Sequence, residues 1–205
     1  MAISTASLAQ ASLTGRMEFD SDNALVKRAR EGDYSAFERL FERHRQLVYR
    51  FAYQMAPRRD DAEDIVQEAF VRAYQNLDKY RDEAKFTTWL LKITRNLVFN
   101  EMRRAKRHPH LPVQIEPNAE EMPLKDEATA SPDETLLQTE LQQAIENAIT
   151  LLPETQRMAL VLRRYDELSY EEIADVLDLS VPAVKSLLFR ARTELRKRLK
   201  DYLGR

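Results

Sequence analysis

The sequence predicts an all-α fold of two small helical domains joined by a flexible linker, on three observations. Two blocks, residues 21–107 and 133–205, repeat apolar residues at the three- and four-residue spacing of helices. Between them, residues 108–132 lose that spacing and carry prolines at positions 109, 112, 117, 123 and 132. Only 3 glycines occur in 205 residues, which suits long helices better than a turn-rich β protein.

The totals exclude several function classes. Cysteine is absent, so there are no disulfides, no thiol chemistry and no Cys-ligated zinc, as fits a reducing compartment. Against 34 acidic residues stand 32 Lys and Arg, a net charge of -2, so any nucleic-acid-binding surface must be a local patch. No apolar run approaches the roughly 18 residues of a membrane span, and no membrane insertion is expected. Residues 1–20 read as a disordered leader. Its start, "MAISTASLAQASLTGR", lacks the basic head and apolar core of a signal peptide, and Met17 is a second candidate start.

Each element has a local reason. A first helix carries Leu25, Val26 and Ala29 and stops at Gly32. Asp33 caps a second, with Phe37, Leu40, Phe41, Leu47, Val48 and Phe51 on its seam, and Pro57 ends it. Asp60 or Asp61 opens a third, with Ile65, Val66, Ala69, Phe70, Ala73 and Leu77 facing inward. Residues 78–85, "DKYRDEAK", form a polar loop. Thr87 then caps a helix of about 30 Å through Trp89, Leu90, Ile93 and Leu97 to about Arg107. The acid-rich segment 108–132 is a linker, opposite in sign to the basic helix before it and expected to fold back there or to repel DNA. Periodicity resumes with Leu136, Leu137, Leu141, Ile145 and Ile149. A corner at Leu151-Leu152-Pro153 follows, then a helix from residue 154 to 165.

"LSYEEIADVLDLSVPAVKSLLFRAR" has helix-turn-helix spacing. Ser169 and Glu172 form an S-x-x-E capping box, Asp178-Leu179 makes the turn, and Ser180 caps the second helix. Pro182 is tolerated because first-turn amides have no intrahelical partner. Val184, Leu187, Leu188, Ala191 and Leu195 form one apolar stripe; Lys185, Ser186, Phe189 and Arg190 face away from it. In a major groove Phe can touch a thymine methyl while Lys and Arg take guanine edges or phosphates. An amphipathic surface helix with a cationic tail is the plainer reading, and the capped pair favours duplex DNA.

The N-terminal block carries two further patches. In "RNLVFNEMRRAKR", Arg95, Arg103, Arg104, Lys106 and Arg107 outnumber the single acid Glu101. Beside Tyr80, Phe86 and Trp89 this basic helix can hold unpaired bases by charge and stacking. Trp89 shares a face with Ile93 and reads better as core, whereas Asn96 can read a flipped base edge. The third helix presents Asp61, Asp64, Gln67 and Glu68, either a solvated start that suits the helix dipole or a docking face for a basic protein.

The stretches "DAEDIVQEAFVRAY", "FTTWLLKITRNLVFNEMRR" and "LPETQRMALVLRRYDELSYEEIADVLDLSVPAVKSLLFRAR", in that order, resemble a bacterial sigma factor of the extracytoplasmic-function (ECF) group over residues 22–203. The resemblance implies a sigma region 2 bundle at 21–107 and a region 4 helix-turn-helix at 133–205. It implies partners: core RNA polymerase (the clamp of its largest subunit and its flap), promoter DNA both duplex and single-stranded, and an anti-sigma factor. It also implies the cytoplasm, with association to the nucleoid in holoenzyme or to the membrane through that regulator. By position, Asp61, Asp64, Gln67 and Glu68 match the clamp-binding face. Tyr80, Arg81, Lys85 and Asn96 match the minus-ten single-strand pocket, and Arg103, Arg104 and Arg107 its backbone contacts. Lys185, Ser186, Phe189 and Arg190 match the minus-thirty-five readers. Leu187 stands where the family often has a cation.

Two rival readings are weaker. For an enzyme, no histidine sits in a catalytic pairing, His108 and His110 lack a third metal ligand, and no Gly-rich phosphate loop occurs. No cofactor, metal or catalytic residue is therefore expected. A dimeric repressor would bind two-fold duplex sites alone. A sigma factor binds promoter DNA poorly until it joins polymerase.

Overall fold

The computed structural model describes residues 20–56, 58, 60–107, 132–165 and 168–200. The leader, the Met17 start, Pro57, most of the linker and His108 and His110 lie outside the described residues. Among those described, every regular element is helical. They are α1 (Asp22–Arg30), α2 (Tyr34–Met55), α3 (Asp61–Gln75), a single 3-10 turn (Leu77–Lys79), α4 (Phe86–Arg107), α5 (Pro132–Thr150), α6 (Glu154–Tyr165), α7 (Tyr170–Leu177) and α8 (Val181–Arg198).

The corner between α1 and α2 is built by local chemistry. Gly32 takes φ 92, a left-handed conformation that suits a residue without Cβ. Asp33 then caps α2: its Oδ1 accepts from the Ala36 amide at 3.3 Å and the Ser35 hydroxyl at 2.7 Å. Arg28 donates twice to its Oδ2, at 2.9 and 2.7 Å. The Ser35 hydroxyl, then Arg28, hold the Asp33 carboxyl down to a pKa of about 2.

In the N-terminal half α2 packs against α1, α3 and α4, and α3 against α4. Leu25, Leu40, Val48, Phe51, Ala69, Phe70, Leu90, Leu91 and Val98 are buried between them. His44 is buried beside Phe86, and its Nε2 lies 2.9 Å from Asp22 Oδ2.

α3 opens at Asp61, one of the two expected positions; Asp60 is helical in φ and ψ and makes no side-chain cap bond. The expected Thr87 cap is corrected. α4 begins at Phe86 rather than after Thr87: the Trp89 amide donates to the Lys85 carbonyl at 3.2 Å. Phe86 is 1% exposed, and burying that ring draws it into the first turn.

The helix-turn-helix forms as its sequence dictates. Ser169 Oγ accepts from the Glu172 amide at 3.1 Å, and Glu172 Oε2 from the Ser169 amide at 2.7 Å. Asp178 ends α7 in the left-handed conformation, φ 53 and ψ 46, which Asp tolerates better than most residues. Ser180 caps α8, with Pro182 in its first turn. Val184, Leu188 and Ala191 are buried against α6 and α7, and Leu187 is half-buried. Ile145 and Ile149 of α5 pack with Leu195, and Leu141 is 37% exposed. The two halves meet: α4 packs on α7 and α2 on α6, and one apolar cluster draws residues from both, including Val98, Leu162 and Ile173.

Candidate polymerase and nucleic-acid interfaces

Three surfaces carry the residues singled out from the sequence. The first is the outer face of α3. Burial of Ala62, Ile65, Val66, Ala69, Phe70 and Ala73 turns Asp64, Gln67 and Glu68 to solvent, with Asp61 half-exposed. Glu68 Oε1 accepts from Arg72 Nε at 2.6 Å, one turn on. The row continues into apolar surface that the sequence reading missed: Val71 is 49% exposed, Tyr74 37% and the adjoining Tyr34 of α2 73%. The Tyr34 and Tyr74 rings are 6.0 Å apart, and Phe37 meets Tyr74 edge-on at 4.9 Å. Loss of hydration, then the Tyr34 hydroxyl, raises the Tyr74 pKa. The signal is present in the sequence, since Val71 and Tyr74 follow Glu68 at outward helical spacing.

The second surface is the loop before α4 and α4 itself. Arg81 and Lys85 are exposed in the loop, and Asn96, Arg103, Arg104 and Arg107 on the helix. Tyr80 departs from expectation. It is 2% exposed, and its hydroxyl lies 2.6 Å from Asn23 Oδ1 and 2.8 Å from the Ala84 carbonyl. Arg30 donates to the carbonyls of Leu77 and Tyr80, fixing the loop from beneath. Tyr80, Phe86 and Trp89 pack on one another with ring centroids 5.5 to 5.7 Å apart. Tyr80 therefore packs as a core residue here, and desolvation raises its pKa.

Electrostatically this surface is engaged. Arg95 donates to Asn96 Oδ1 through Nε at 3.2 Å and Nη2 at 2.9 Å. It also reaches Asp178 at 2.7 Å and the Val176 carbonyl at 2.6 Å. Lys85 pairs with Glu172 at 2.7 Å and Arg104 with Glu101 at 3.1 Å. Arg107 donates to the Arg103 carbonyl at 3.3 Å.

The third surface is the outer side of α8. Lys185, Ser186, Phe189 and Arg190 are all exposed, and Phe189 is 70% exposed. Lys185 Nζ stands 5.9 Å from the Tyr170 ring centroid. Two shallow grooves flank Arg190: one shared with Phe189, Leu151 and Pro153, the other with Ser186, Leu187 and Leu179. Among the described residues no group of three or more His, Cys, Asp or Glu could hold a metal ion. No described helix is long and apolar enough to cross a membrane.

What these surfaces belong to is shown by comparison with known proteins. The Sigma-70 region 2 family model matches residues 40–108, which contain the first two surfaces, and the Sigma-70 region 4 model matches residues 142–195, which contain most of α8. The chain is 34% identical over 179 residues to the ECF RNA polymerase sigma factor SigW of Bacillus subtilis (strain 168), covering 86% of this chain and 95% of that protein. It is 36% identical over 187 residues to the ECF RNA polymerase sigma-E factor of Escherichia coli (strain K12), covering 90% and 97%. Its fold is similar to that of CnrH, solved in complex with the cytosolic domain of CnrY: TM-score 0.66 and 26% identity, over 89% of this chain and 99% of that one. Two helical regions in sigma-factor order, with relatives matched along nearly their whole length, place the chain in the ECF group of RNA polymerase sigma factors.

Proposed function

We propose that this sigma factor binds core RNA polymerase through the outer face of α3 and directs it to promoters by two readings of DNA. Asp61, Asp64, Gln67 and Glu68 dock on the clamp of the largest subunit, and the C-terminal domain seats on the flap. α8 lies in the major groove of the minus-thirty-five duplex, with Lys185, Ser186, Phe189 and Arg190 toward the bases. The surface around Asn96, with Arg81, Lys85, Arg103, Arg104 and Arg107, takes the minus-ten strand once it is unpaired. The observation that carries the reading is the match to two ECF sigma factors, in order, over 86% and 90% of the chain.

Strand opening needs no hydrolysis in this scheme. A surface that binds the unpaired strand better than the duplex shifts the equilibrium by the difference in affinity. A DNA step is held by about 1.4 kcal/mol of stacking on average. Opening is nucleated when capture of one or two bases returns a free energy of that size. With Tyr80 buried, capture rests on hydrogen bonding at Asn96 and on the cations along the strand, more than on stacking.

The reading places the protein in the cytoplasm, acting as an initiation factor without catalysis of its own. An anti-sigma protein is its expected regulator, as the ECF resemblance implies. The test is run-off transcription from a cognate promoter with core polymerase, with and without this protein. Initiation that depends on the added protein is expected; no added initiation overturns the proposal.

A further inference from the structure

The two shallow grooves that flank Arg190 differ in charge. The one shared with Phe189 also takes in Glu194, whose carboxylate lies 2.8 Å from Arg198. The other is lined by Thr155, Leu179, Ala183, Ser186, Leu187 and Arg190, with no acid among them. Three of those six are aliphatic, and they stand beside two residues already assigned to the bases.

The aliphatic wall is held in place by the turn and the core. The Leu179 amide donates to the Ala174 carbonyl at 2.9 Å, just after Asp178 in its left-handed conformation. The Leu179 side chain is left 38% exposed. Ala183 sits in the first turn of α8, where its amide donates to the Ser180 hydroxyl oxygen at 3.4 Å. Leu187 follows one turn on, half-buried, and packs against the core. With only a methyl group at position 183, the space between the two leucines stays open.

Such a wall fits one feature of a major groove. Base edges there carry hydrogen-bond donors and acceptors, and the one apolar group among them is the thymine 5-methyl. A polar edge pressed against leucine loses water without gaining a hydrogen bond. Because Ser186 and Arg190 line the same groove, a base edge brought to them lies against the leucines.

We propose that Leu179, Ala183 and Leu187 seat the 5-methyl group of one thymine in the minus-thirty-five duplex, beside the bases met by Ser186 and Arg190. This rests on the reading of α8 as the duplex-reading helix. The contact is separate from the one open to Phe189, which lines the other groove. Burying one such group is worth a factor of about four in affinity.

Thymine and deoxyuridine differ by that methyl alone. Holoenzyme binding is measured on minus-thirty-five duplexes that carry thymine or deoxyuridine at each position of each strand in turn. The wild type should prefer thymine about fourfold at one position. Leu187→Ala should abolish that preference. Leu179→Ala, at an exposed turn position, should reduce it as well, and decides the matter if loss of Leu187 disturbs the core. Phe189→Ala should leave the preference at that position as it is in the wild type.

Equal binding of thymine and deoxyuridine at every position overturns the proposal. The reading of α8 then still stands if the same holoenzyme distinguishes base pairs in the element, and falls too if it distinguishes none. A methyl preference kept in both leucine variants, or lost in Phe189→Ala, also overturns the proposal, because the methyl then meets another surface.

Discussion

Arg190→Ala separates a base reader from a general cation. Arg190 is exposed on α8, on the side away from the buried Val184, Leu188 and Ala191. Truncating it leaves the core untouched, so stability should move by no more than about 0.5 kcal/mol. A guanidinium that makes a bidentate contact with guanine is worth about 1–3 kcal/mol of discrimination, or roughly 5- to 150-fold in affinity. A phosphate contact instead weakens every sequence alike and lowers the salt slope by about one. The assay is holoenzyme binding to promoter duplexes carrying each of the four base pairs at every minus-thirty-five position. The expected result is a preference flattened at one position and intact elsewhere. A uniform loss, or an unchanged profile, refutes Arg190 as a base reader.

Three further outcomes follow from the surfaces described. Asp64→Arg should weaken holoenzyme assembly at least tenfold while minus-thirty-five duplex binding by the chain is kept; unchanged assembly would mean that the docking face is misassigned. Tyr80→Phe removes the hydroxyl contacts to Asn23 and Ala84, and should lower stability by about 1 kcal/mol in urea unfolding without changing strand capture by holoenzyme. A loss of capture at unchanged stability would return Tyr80 to the DNA surface. Glu172 gives a pH dependence. Hydrogen bonding to Lys85 and then to Ser169, opposed by desolvation, holds its carboxyl below the usual value. A lowered folded-state pKa means that its stabilising contribution is present above the ordinary glutamate range and fades as pH falls through the folded value. Glu172→Gln should flatten that acid limb of the stability curve, and an acid limb identical to wild type would contradict the assignment.

Local signals were the ones the sequence displayed most clearly. Ser169 with Glu172, Ser180 with Pro182, and Gly32 before Asp33 each act within three or four residues, and each forms as its side-chain chemistry dictates. Thr87 and Asp60 show the limit of that reasoning. Both have cap-forming side chains, but burial of Phe86 sets the start of α4, and Asp60 adopts helical dihedrals. The burial of Tyr80 is hidden in the sequence for a related reason. It sits in a loop with no periodicity to reveal its facing, and only the distant Arg30 and Asn23 show that the loop is tied inward. The outward stripe of α3 was legible in its acids and missed in Val71 and Tyr74. The pairing of α4 with α7 joins residues about eighty positions apart, and no spacing rule links such residues.

The central claim is selective capture of the unpaired strand by the surface around Asn96, and thymine reactivity to permanganate across the minus-ten element measures it most directly. Holoenzyme formed with this protein should make those thymines reactive. Holoenzyme with Asn96→Ala should bind the same promoter as closed duplex and leave them protected by severalfold. Equal reactivity with Asn96→Ala, or opening by core polymerase without this protein, would contradict the account.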